Sequence, residues 1–217
     1  GIDEYNRHAI TKLSNIHFAV SEKSKQRIIK MGENPKHVFL TGSPSIDEVL
    51  KNKITSSNEI YKKYKLKLNG NEIILLQHPI TTQSERSKFE IENILKAISK
   101  LKKQTIVIMP NSDAGNNNIV KSYKSYAKNF NFIKIYKNFP RSDYLGLLKN
   151  AGILVGNSSS GVIEGSYFDI PVVNVGNRQE NRERGKNVIN VKDNSSKLIF
   201  KSIKKAFLMK NNMYKKE

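Results

Sequence analysis

A glycine- and serine-rich segment in the second half of the chain has the residue types of a phosphate-binding turn. Residues 156–161 read GNSSSG, follow the apolar run 153–155 and precede a stretch with helical spacing. A buried parallel strand that turns into a helix leaves free backbone N–H groups and a positive dipole end facing outward. We therefore predict that this turn binds phosphate. A strand-to-helix turn in which serine only caps the helix is the structural alternative.

Three other polar loops follow predicted strands, and they start at Gln77, Pro110 and Gly176. Because the carboxyl ends of parallel strands meet at one edge of a sheet, we expect these loops and the serine loop to line one crevice. His78, in the first loop, could hydrogen-bond a phosphate or take part in proton transfer. Capping of the following helix is the alternative for this histidine.

Charged residues near the serine loop suit a nucleotide. Glu164 lies in the first turn of the predicted helix, where it could accept hydrogen bonds from ribose hydroxyls or only complement the helix dipole. Arg178 and Arg182 carry forked guanidinium groups that suit a diphosphate. Surface ion pairs with Glu180 or Glu183 are the alternative for both arginines.

The elements that must position these residues alternate along the chain. Short β-rich runs separated by helices require right-handed crossovers and a parallel sheet. We predict an α/β fold with a doubly wound parallel sheet. The predicted strands are 15–20, 37–40, 72–76, 105–109, 132–136, 153–155, 171–175 and 188–191. The predicted helices are 22–31, 45–51, 84–103, 117–128, 142–150, 161–168 and 195–209.

Composition narrows the class of protein. The 217 residues are 37% hydrophobic and include no cysteine, which excludes disulfides, thiolate chemistry and zinc sites of the cysteine type. No metal-ligand spacing, Walker loop or serine hydrolase elbow occurs, so we expect no metal and no cofactor. The net charge is +19, but 31 of the 38 basic residues are lysine and only 7 are arginine. Since nucleic-acid surfaces favour arginine forks, we predict no specific nucleic-acid partner.

We also expect no membrane partner. No run of residues has the length of a membrane span, and the first residues do not resemble a signal peptide. A cytoplasmic protein is the resulting expectation.

Asp3 and Glu4 open a predicted helix, where the helix dipole favours acidic residues without any catalytic role.

Five strings of residues together resemble a known family. They are DExxRHAITKLS from Asp3, QHP from Gln77, PNxDAG from Pro110, GNSSSGVIE from Gly156 and RQxxR from Arg178. In this order and spacing they resemble the UDP-N-acetylglucosamine 2-epimerase family, closest to its hydrolysing branch. The resemblance extends over almost the whole chain.

The resemblance implies a fold and a domain organisation. The family has the GT-B arrangement, in which two Rossmann-like domains enclose the active site. Residues 1–20 would be the last helix and strand of a truncated N-terminal domain. Residues 21–217 would be a C-terminal Rossmann-like nucleotide-sugar-binding domain, incomplete at its C-terminus. The chain would then be an inactive fragment, and we expect the full-length protein to be a homo-oligomer.

The resemblance also implies a reaction and a set of site residues. UDP would be eliminated from UDP-N-acetylglucosamine with loss of the C2 proton, and water would add to the glycal to give N-acetylmannosamine for sialic acid biosynthesis. Asp3 matches a catalytic carboxylate, Glu4 and Arg7 its supporting residues, and His78 the histidine beside the sugar and diphosphate. The matched UDP contacts are Ser158 and Ser159 for the diphosphate, Asn111 and Arg178 elsewhere on the nucleotide, Glu164 for the ribose, and Asn138 and Phe139 for the uracil.

Alternatives stay open at the level of function. The chain departs from the family pattern at Asn181, where glycine is usual, and this leaves the role of Arg182 open. The strings at His78 and at residues 157–161 favour the hydrolysing over the non-hydrolysing branch. UDP-diacetylbacillosamine is an alternative substrate. A UDP-binding module of the GT-B glycosyltransferase type is the alternative outside this reaction class.

Overall fold

A computed structural model describes residues 2–180 and 182–214, with the backbone alone at 2, 3, 81, 82 and 211–214. The chain forms two compact units, Gly1–Lys51 and Asn52–Glu217. The expected domain boundary after residue 20 does not coincide with this division. Because the units are defined by contacts within this chain, the assignment of 1–20 and 21–217 to separate domains stays a prediction.

The first unit contains a parallel pair of short strands. Glu33 fixes the entry to the first strand, because it accepts a hydrogen bond from Lys12 at 2.7 Å and lies 3.2 Å from Nε2 of His17. Ser21 caps the connecting helix, and its side chain accepts the Ser24 N–H. The elements of this unit are α1 (Ile2–Leu13), β1 (His17–Ala19), α2 (Glu22–Lys30), β2 (Val38–Leu40) and α3 (Pro44–Lys51).

The second unit is a six-stranded parallel sheet with helices between its strands, which confirms the predicted fold class. The strands are β3 (Ile73–Leu76), β4 (Thr105–Ile108), β5 (Ile133–Tyr136), β6 (Ile153–Gly156), β7 (Val172–Val175) and β8 (Val188–Val191). The helices are α4 (Ser57–Tyr64), α5 (Ser87–Ser99), α6 (Asn116–Asn129), α7 (Arg141–Asn150), α8 (Ser159–Val162), α9 (Glu164–Tyr167) and α10 (Ser196–Tyr214).

The strand order in this sheet is β5-β4-β3-β6-β7-β8. The chain runs outward from β3 to β5, returns to place β6 beside β3, and then runs outward in the other direction to β8. The loops after β3 and β6 therefore diverge at the point where the order reverses. In sheets of this kind the ligand lies in the crevice outside the carboxyl ends of these two strands.

The core of the second unit lies between the sheet and the helices. β3, β4, β6 and β7 are buried along their whole length, as expected for parallel strands covered on both faces. Side chains from α5, α6 and α10 pack on one face of the sheet, and each fully buried aliphatic side chain contributes about 1.5–3 kcal/mol. The sheet edge that carries the polar loops is thus rigidly supported.

Three predicted helices differ from the observed ones, and one of them, predicted at 195–209, extends instead from Ser196 to Tyr214. The helix predicted at 84–103 begins only at Ser87, because Thr81–Arg86 form a 3-10 turn, and it ends at Ser99. The helix predicted at 161–168 is instead two helices of one turn each, α8 and α9, which meet at Ile163 with φ −92° and ψ −74°. Gly161 and Gly165 weaken helix propensity in this segment. They also allow close packing, since a Cβ at Gly161 would lie 3.0 Å from the Leu154 side chain.

Within residues 2–180 and 182–214, no helix has the length and apolar character needed to cross a membrane.

Asp143 ties the segment before the sheet to α7. Its carboxylate is 1% exposed and accepts hydrogen bonds from Thr55 Oγ1 at 2.6 Å, Lys63 Nζ at 2.8 Å and Tyr64 OH at 2.5 Å. Burial would raise the pKa of Asp143, but the hydrogen bonds from Lys63, Thr55 and Tyr64 outweigh it, so the pKa lies below its usual value. Burial and the hydrogen bond to this carboxylate raise the pKa of Tyr64 to about 12.

We expect Asp143→Ala to lower the free energy of unfolding by about 2–4 kcal/mol at neutral pH, because Thr55 and Tyr64 lose their acceptor. A carboxylate whose pKa is lowered by folding contributes fully above its unfolded-state pKa, and the contribution is lost as the pH falls through the folded-state pKa. The difference between variant and parent should therefore shrink well below pH 3.8, the ordinary aspartate value. Urea unfolding across this range measures it, with the exposed Glu85→Ala as control; a difference independent of pH would contradict the prediction.

Candidate functional site

The predicted crevice is built from the loops that follow β3 and β6. The Asn157 N–H donates to the Leu76 carbonyl at 3.2 Å, so the two loops stay paired just beyond the strands. Gly156 makes this approach possible, because it has φ +134° and a Cβ there would lie 2.0 Å from the Leu76 carbonyl oxygen. The glycine of the GNSSSG string is thus required by the backbone at this position.

The side chain of Asn157 joins the serine loop to His78. Its Oδ1 accepts the His78 N–H at 2.8 Å, and its Nδ2 donates to the His78 carbonyl at 2.9 Å. Asn157 is 0% exposed, so neither bond competes with bulk water. Since both partners are backbone groups with fixed roles, the orientation of the amide is determined by them.

His78 is held as a neutral hydrogen-bond donor. Its Nδ1 accepts the backbone N–H of Asn111 at 3.2 Å. A backbone amide can only donate, so Nδ1 carries no proton and the neutral ring has its proton on Nε2. Burial, together with the nearby positive charge of Arg178, lowers the pKa of His78 to about 4. At neutral pH the ring can donate from Nε2 but carries no positive charge.

Arg178 reaches the same place from the loop after β7. Its Nη1 donates to the Asn157 carbonyl at 3.2 Å, and Gln179 Nε2 donates to the same oxygen at 2.8 Å. The guanidinium is therefore anchored by one nitrogen beside the serine loop, while the rest of its planar fork keeps further donors. The alternative of an ion pair between Arg178 and Glu180 is not what the structure shows, because Glu180 pairs with Lys192 at 3.4 Å.

The three serines have different surroundings. Ser158 is the N-cap of α8 and accepts the Ser160 N–H at 3.3 Å, while the Ser160 hydroxyl lies 2.6 Å from the Tyr144 hydroxyl. Ser159 is half-buried at the first position of α8. Because α8 has only four residues, its dipole is small. An anion placed at this loop would meet local N–H groups, the Ser159 hydroxyl and Arg178 rather than the end of a long helix.

Glu164 is held by an arginine to which the sequence pattern assigned no role. Its Oε1 accepts from Arg141 Nη2 at 2.9 Å, and Glu164 is 7% exposed. Its Oε2 is buried and has no hydrogen-bond partner among the described residues. The buried carboxylate thus has one oxygen fixed and the other able to accept a hydrogen bond.

The loop matched to the uracil lies directly before Arg141. The Phe139 ring packs on Tyr64 at 4.9 Å and on Tyr136 at 4.8 Å between centroids. Asn138 is exposed beside it. The loop and the Glu164 carboxylate are therefore joined through the first residue of α7.

The predicted site residues are distributed over both compact units. Glu4 and Arg7 are exposed on α1, in the first compact unit, whereas His78 and the serine loop belong to the second. The Asp3 side chain and Asn181 lie outside the described residues. Arg182 is exposed. Asn111 contributes its backbone N–H to His78, while its side-chain Nδ2 donates to Asp113 at 2.5 Å.

A cavity of about 660 Å³ opens elsewhere at this sheet edge, between the ends of β7 and β8 and the start of α5. Its lining includes Arg86, Asn177, Arg184 and the buried Glu90, which accepts a hydrogen bond from Asn194 at 2.8 Å. Burial raises the pKa of Glu90. None of the residues matched to UDP contacts lines this cavity. In the part of the chain that the structure describes, no cluster of His, Asp or Glu could hold a metal ion.

Comparison with known proteins identifies the family. Residues 1–217 match the family model described as UDP-N-acetylglucosamine 2-epimerase. The chain belongs to this epimerase family. Two curated relatives are a UDP-N,N'-diacetylbacillosamine 2-epimerase (hydrolyzing) from Legionella pneumophila, 36% identical over 88% of the chain, and a UDP-N-acetylglucosamine 2-epimerase from Neisseria meningitidis, 34% identical over 94%. The chain spans 50% and 53% of their lengths.

Two solved structures share the fold. The UDP-GlcNAc 2-epimerase from Methanocaldococcus jannaschii is 19% identical, with a TM-score of 0.67 over 94% of this chain and 58% of that protein. S. aureus MnaA, determined with UDP, is 16% identical, with a TM-score of 0.71 over 95% of this chain and 56% of that protein. At these identities the likeness establishes the GT-B-like α/β fold.

Three residues of the candidate epimerase site were missed by reasoning from the sequence. Asn157 lies inside the GNSSSG string but received no role of its own. Gln179 and Arg141 were likewise passed over. An amide directly after the glycine of a strand end was the available signal for Asn157. The sequence signal for Arg141 was weaker: it is one of only 7 arginines and follows a proline at the start of a predicted helix.

We expect His78 to remain neutral, with its proton on Nε2, down to about pH 5, because its pKa is about 4 and Nδ1 accepts the Asn111 N–H. Long-range ¹H–¹⁵N correlation spectra of the labelled chain distinguish the two ring nitrogens and follow the titration. The chain has four histidines, so His78→Gln assigns the resonance. A ring that is protonated at pH 6, or that carries its proton on Nδ1, would contradict the geometry.

Proposed function

We propose that this chain belongs to a hydrolysing UDP-N-acetylglucosamine 2-epimerase. In the first step a base removes the C2 proton of the sugar, the C1–O bond breaks, and UDP leaves to give a glycal. In the second step water adds across the double bond of the glycal and gives N-acetylmannosamine. This product is a precursor for sialic acid biosynthesis, which is the pathway we propose.

The observation that carries the proposal is the contact set that joins His78, Asn157 and Arg178. These residues follow three different strands, and their polar groups meet at the reversal of strand order, beside Ser158 and Ser159. A cation, a neutral imidazole donor and a serine turn in one crevice suit a diphosphate better than a neutral ligand. We therefore assign the diphosphate of UDP to this crevice.

The electrostatics suit the departure of UDP. Negative charge grows on the diphosphate as the C1–O bond breaks, so donors already oriented toward it stabilise the transition state more than the substrate. Arg178 is anchored at 3.2 Å to the Asn157 carbonyl and does not have to reorganise when charge develops. His78 contributes a neutral Nε2–H donor, which stabilises the charge without competing for a proton.

The nucleoside end of the ligand is assigned to the neighbouring loop. We propose that the free Oε2 of Glu164 accepts a hydrogen bond from a ribose hydroxyl while Arg141 holds Oε1. We propose that the backbone at Asn138 and Phe139 meets the uracil, and that Asn111 provides a further nucleotide contact. These roles continue the line of contacts from the serine loop to the start of α7.

The acids and the arginine of α1 complete the proposal. We propose Asp3 as a catalytic carboxylate, with Glu4 and Arg7 supporting it, and residues 1–20 as the last helix and strand of a second domain. Large apolar side chains on this segment are exposed, including Tyr5 at 78% and Leu13 at 86%. Such a surface suits contact with a further part of the protein. We accordingly propose that the 217-residue chain alone binds UDP without turnover, and that the complete protein is a homo-oligomer.

A second candidate substrate is UDP-diacetylbacillosamine. It is favoured by the Legionella pneumophila relative at 36% identity, whose description names this sugar nucleotide and hydrolysis. The proposed diphosphate, ribose and uracil contacts are common to both substrates. The two candidates differ only in the groups on the sugar ring.

We expect Ser159→Ala combined with Arg178→Ala to weaken binding of UDP about 100-fold and binding of uridine hardly at all. Two hydrogen bonds to a charged diphosphate are worth about 3 kcal/mol together, whereas uridine lacks the diphosphate. Titration calorimetry of the 217-residue chain measures both ligands, and Ser99→Ala with Arg27→Ala is the matched control. Equal losses for UDP and uridine would remove the diphosphate assignment.

For the complete gene product we expect consumption of UDP-N-acetylglucosamine with release of free UDP and a free sugar epimerised at C2. Proton NMR of the mixture identifies both products, and a parallel reaction with UDP-diacetylbacillosamine decides between the candidate substrates. A product still attached to UDP would assign the non-hydrolysing branch instead. Binding of UDP without consumption of either substrate would support the binding-module alternative.

A further inference from the structure

The Asn157 side chain is the connection between the serine loop and His78, and the proposed reaction gives it no chemical step. We propose that Asn157 is a positioning residue, whose side-chain amide fixes the place of the His78 imidazole so that its Nε2–H faces the ligand. The proposal rests on the proposed function, in which His78 lies beside the diphosphate and the sugar. It goes further by naming the group that holds His78 there.

The first step is that the amide restrains the backbone on both sides of the His78 Cα. The N–H of His78 donates to Oδ1 at 2.8 Å and its C=O accepts from Nδ2 at 2.9 Å. Two opposed bonds of this kind fix a residue as a pair does in a strand ladder. Pro79 follows, which restricts His78 to extended conformations. The Cα–Cβ direction of His78 is thereby set by its contacts with residue 157.

The second step is that the ring has one further restraint. The Asn111 N–H holds Nδ1 at 3.2 Å, and this bond forms only when the His78 backbone presents the ring at the correct height above the sheet edge. Loss of the Asn157 amide would release the backbone and weaken the ring contact as well. Displacement of a reacting group by about 1 Å is enough to cost about 100-fold in rate.

The third step separates the two functions of residue 157. Its side chain holds His78, whereas its backbone carbonyl accepts from Arg178 at 3.2 Å and from Gln179 at 2.8 Å. A substitution at this position changes only the first set of contacts. We therefore expect the contacts that bind the diphosphate to remain, while the imidazole is no longer held in its position.

The test uses Asn157→Leu, which has nearly the same shape and adds no charge beside Arg178. The leucine side chain can neither accept the His78 N–H nor donate to the His78 carbonyl. In the complete gene product we expect kcat to fall about 10- to 100-fold, with KM for the UDP-sugar changed by less than about 3-fold. In the labelled chain we expect the His78 ring nitrogens to change shift and to show both tautomers.

The control is Asn187→Leu. Asn187 is also buried, at 4% exposure, and its Nδ2 donates to the Ile170 carbonyl at 2.9 Å. Substitution there removes a comparable bond in the same unit without touching His78. If both variants lose stability equally but only Asn157→Leu lowers kcat and alters the His78 spectrum, the positioning role stands. Equal effects of the two variants on kcat, or an unchanged His78 spectrum, would overturn it.

A measurement on the unchanged chain keeps the proposal testable if Asn157→Leu fails to fold. The His78 amide hydrogen should exchange slowly with solvent, because it is bonded to a buried Oδ1, and exchange as fast as that of an exposed loop amide would refute the restraint. UDP titration of the same chain tests the proposed function separately from the restraint of His78 by Asn157. Slow exchange without UDP binding would leave the restraint intact and remove the proposed function on which its catalytic meaning depends.

Discussion

The hydrogen bonds between the Asn157 amide and the backbone of His78 are the constraint on which the candidate site depends. β3 and β6 are neighbours, but their chains leave in opposite directions along the sheet, so main-chain pairing cannot continue beyond the strands. The Asn157 N–H makes one last bond to Leu76, and from there the side chain replaces the ladder. The loops can diverge and open a crevice while remaining joined at its base.

The backbone carbonyl of Asn157 also anchors Arg178, which places a positive charge where a ligand would need it. The chain carries a net charge of +19, but most of this is lysine, and charges on exposed lysines are screened over about 8 Å at physiological salt. Arg178 differs because it is partly buried and anchored, so its field acts through protein rather than through bulk water. Its charge also helps to keep His78 neutral. One arginine therefore has two effects at the site that the surplus of lysine cannot provide.

Reasoning from the sequence recovered most of the sheet and the edge that carries the site. The apolar runs that became β4, β6 and β7 were placed within one residue, because parallel strands buried on both faces read as continuous hydrophobic stretches. Convergence of the polar loops after β3, β4, β6 and β7 followed from the same rule about parallel strands. The contacts among His78, Asn111, Asn157 and Arg178 confirm that convergence.

The rest could not be obtained from local patterns. His78 and Asn157 are 79 positions apart, and only the pairing of β3 with β6, which sequence periodicity does not specify, brings the amide opposite the backbone of the histidine. The break at Ile163 was missed for a related reason. Helical spacing of apolar residues predicts one helix, but close packing of Gly161 against Leu154 is a tertiary effect that overrides it.

That break determines what Glu164 can do. In a continuous helix Glu164 would follow Ser159 by five residues, about 140° around the axis and about 7.5 Å along it. The structure instead starts a new helix at Glu164 and pairs its Oε1 with Arg141, leaving Oε2 buried without a partner among the described residues. A buried acceptor of this kind costs about 1–3 kcal/mol. A ribose hydroxyl that donated to Oε2, as we propose, would recover that cost on binding, and under this proposal the irregular backbone exchanges stability of the free protein for affinity for the nucleotide.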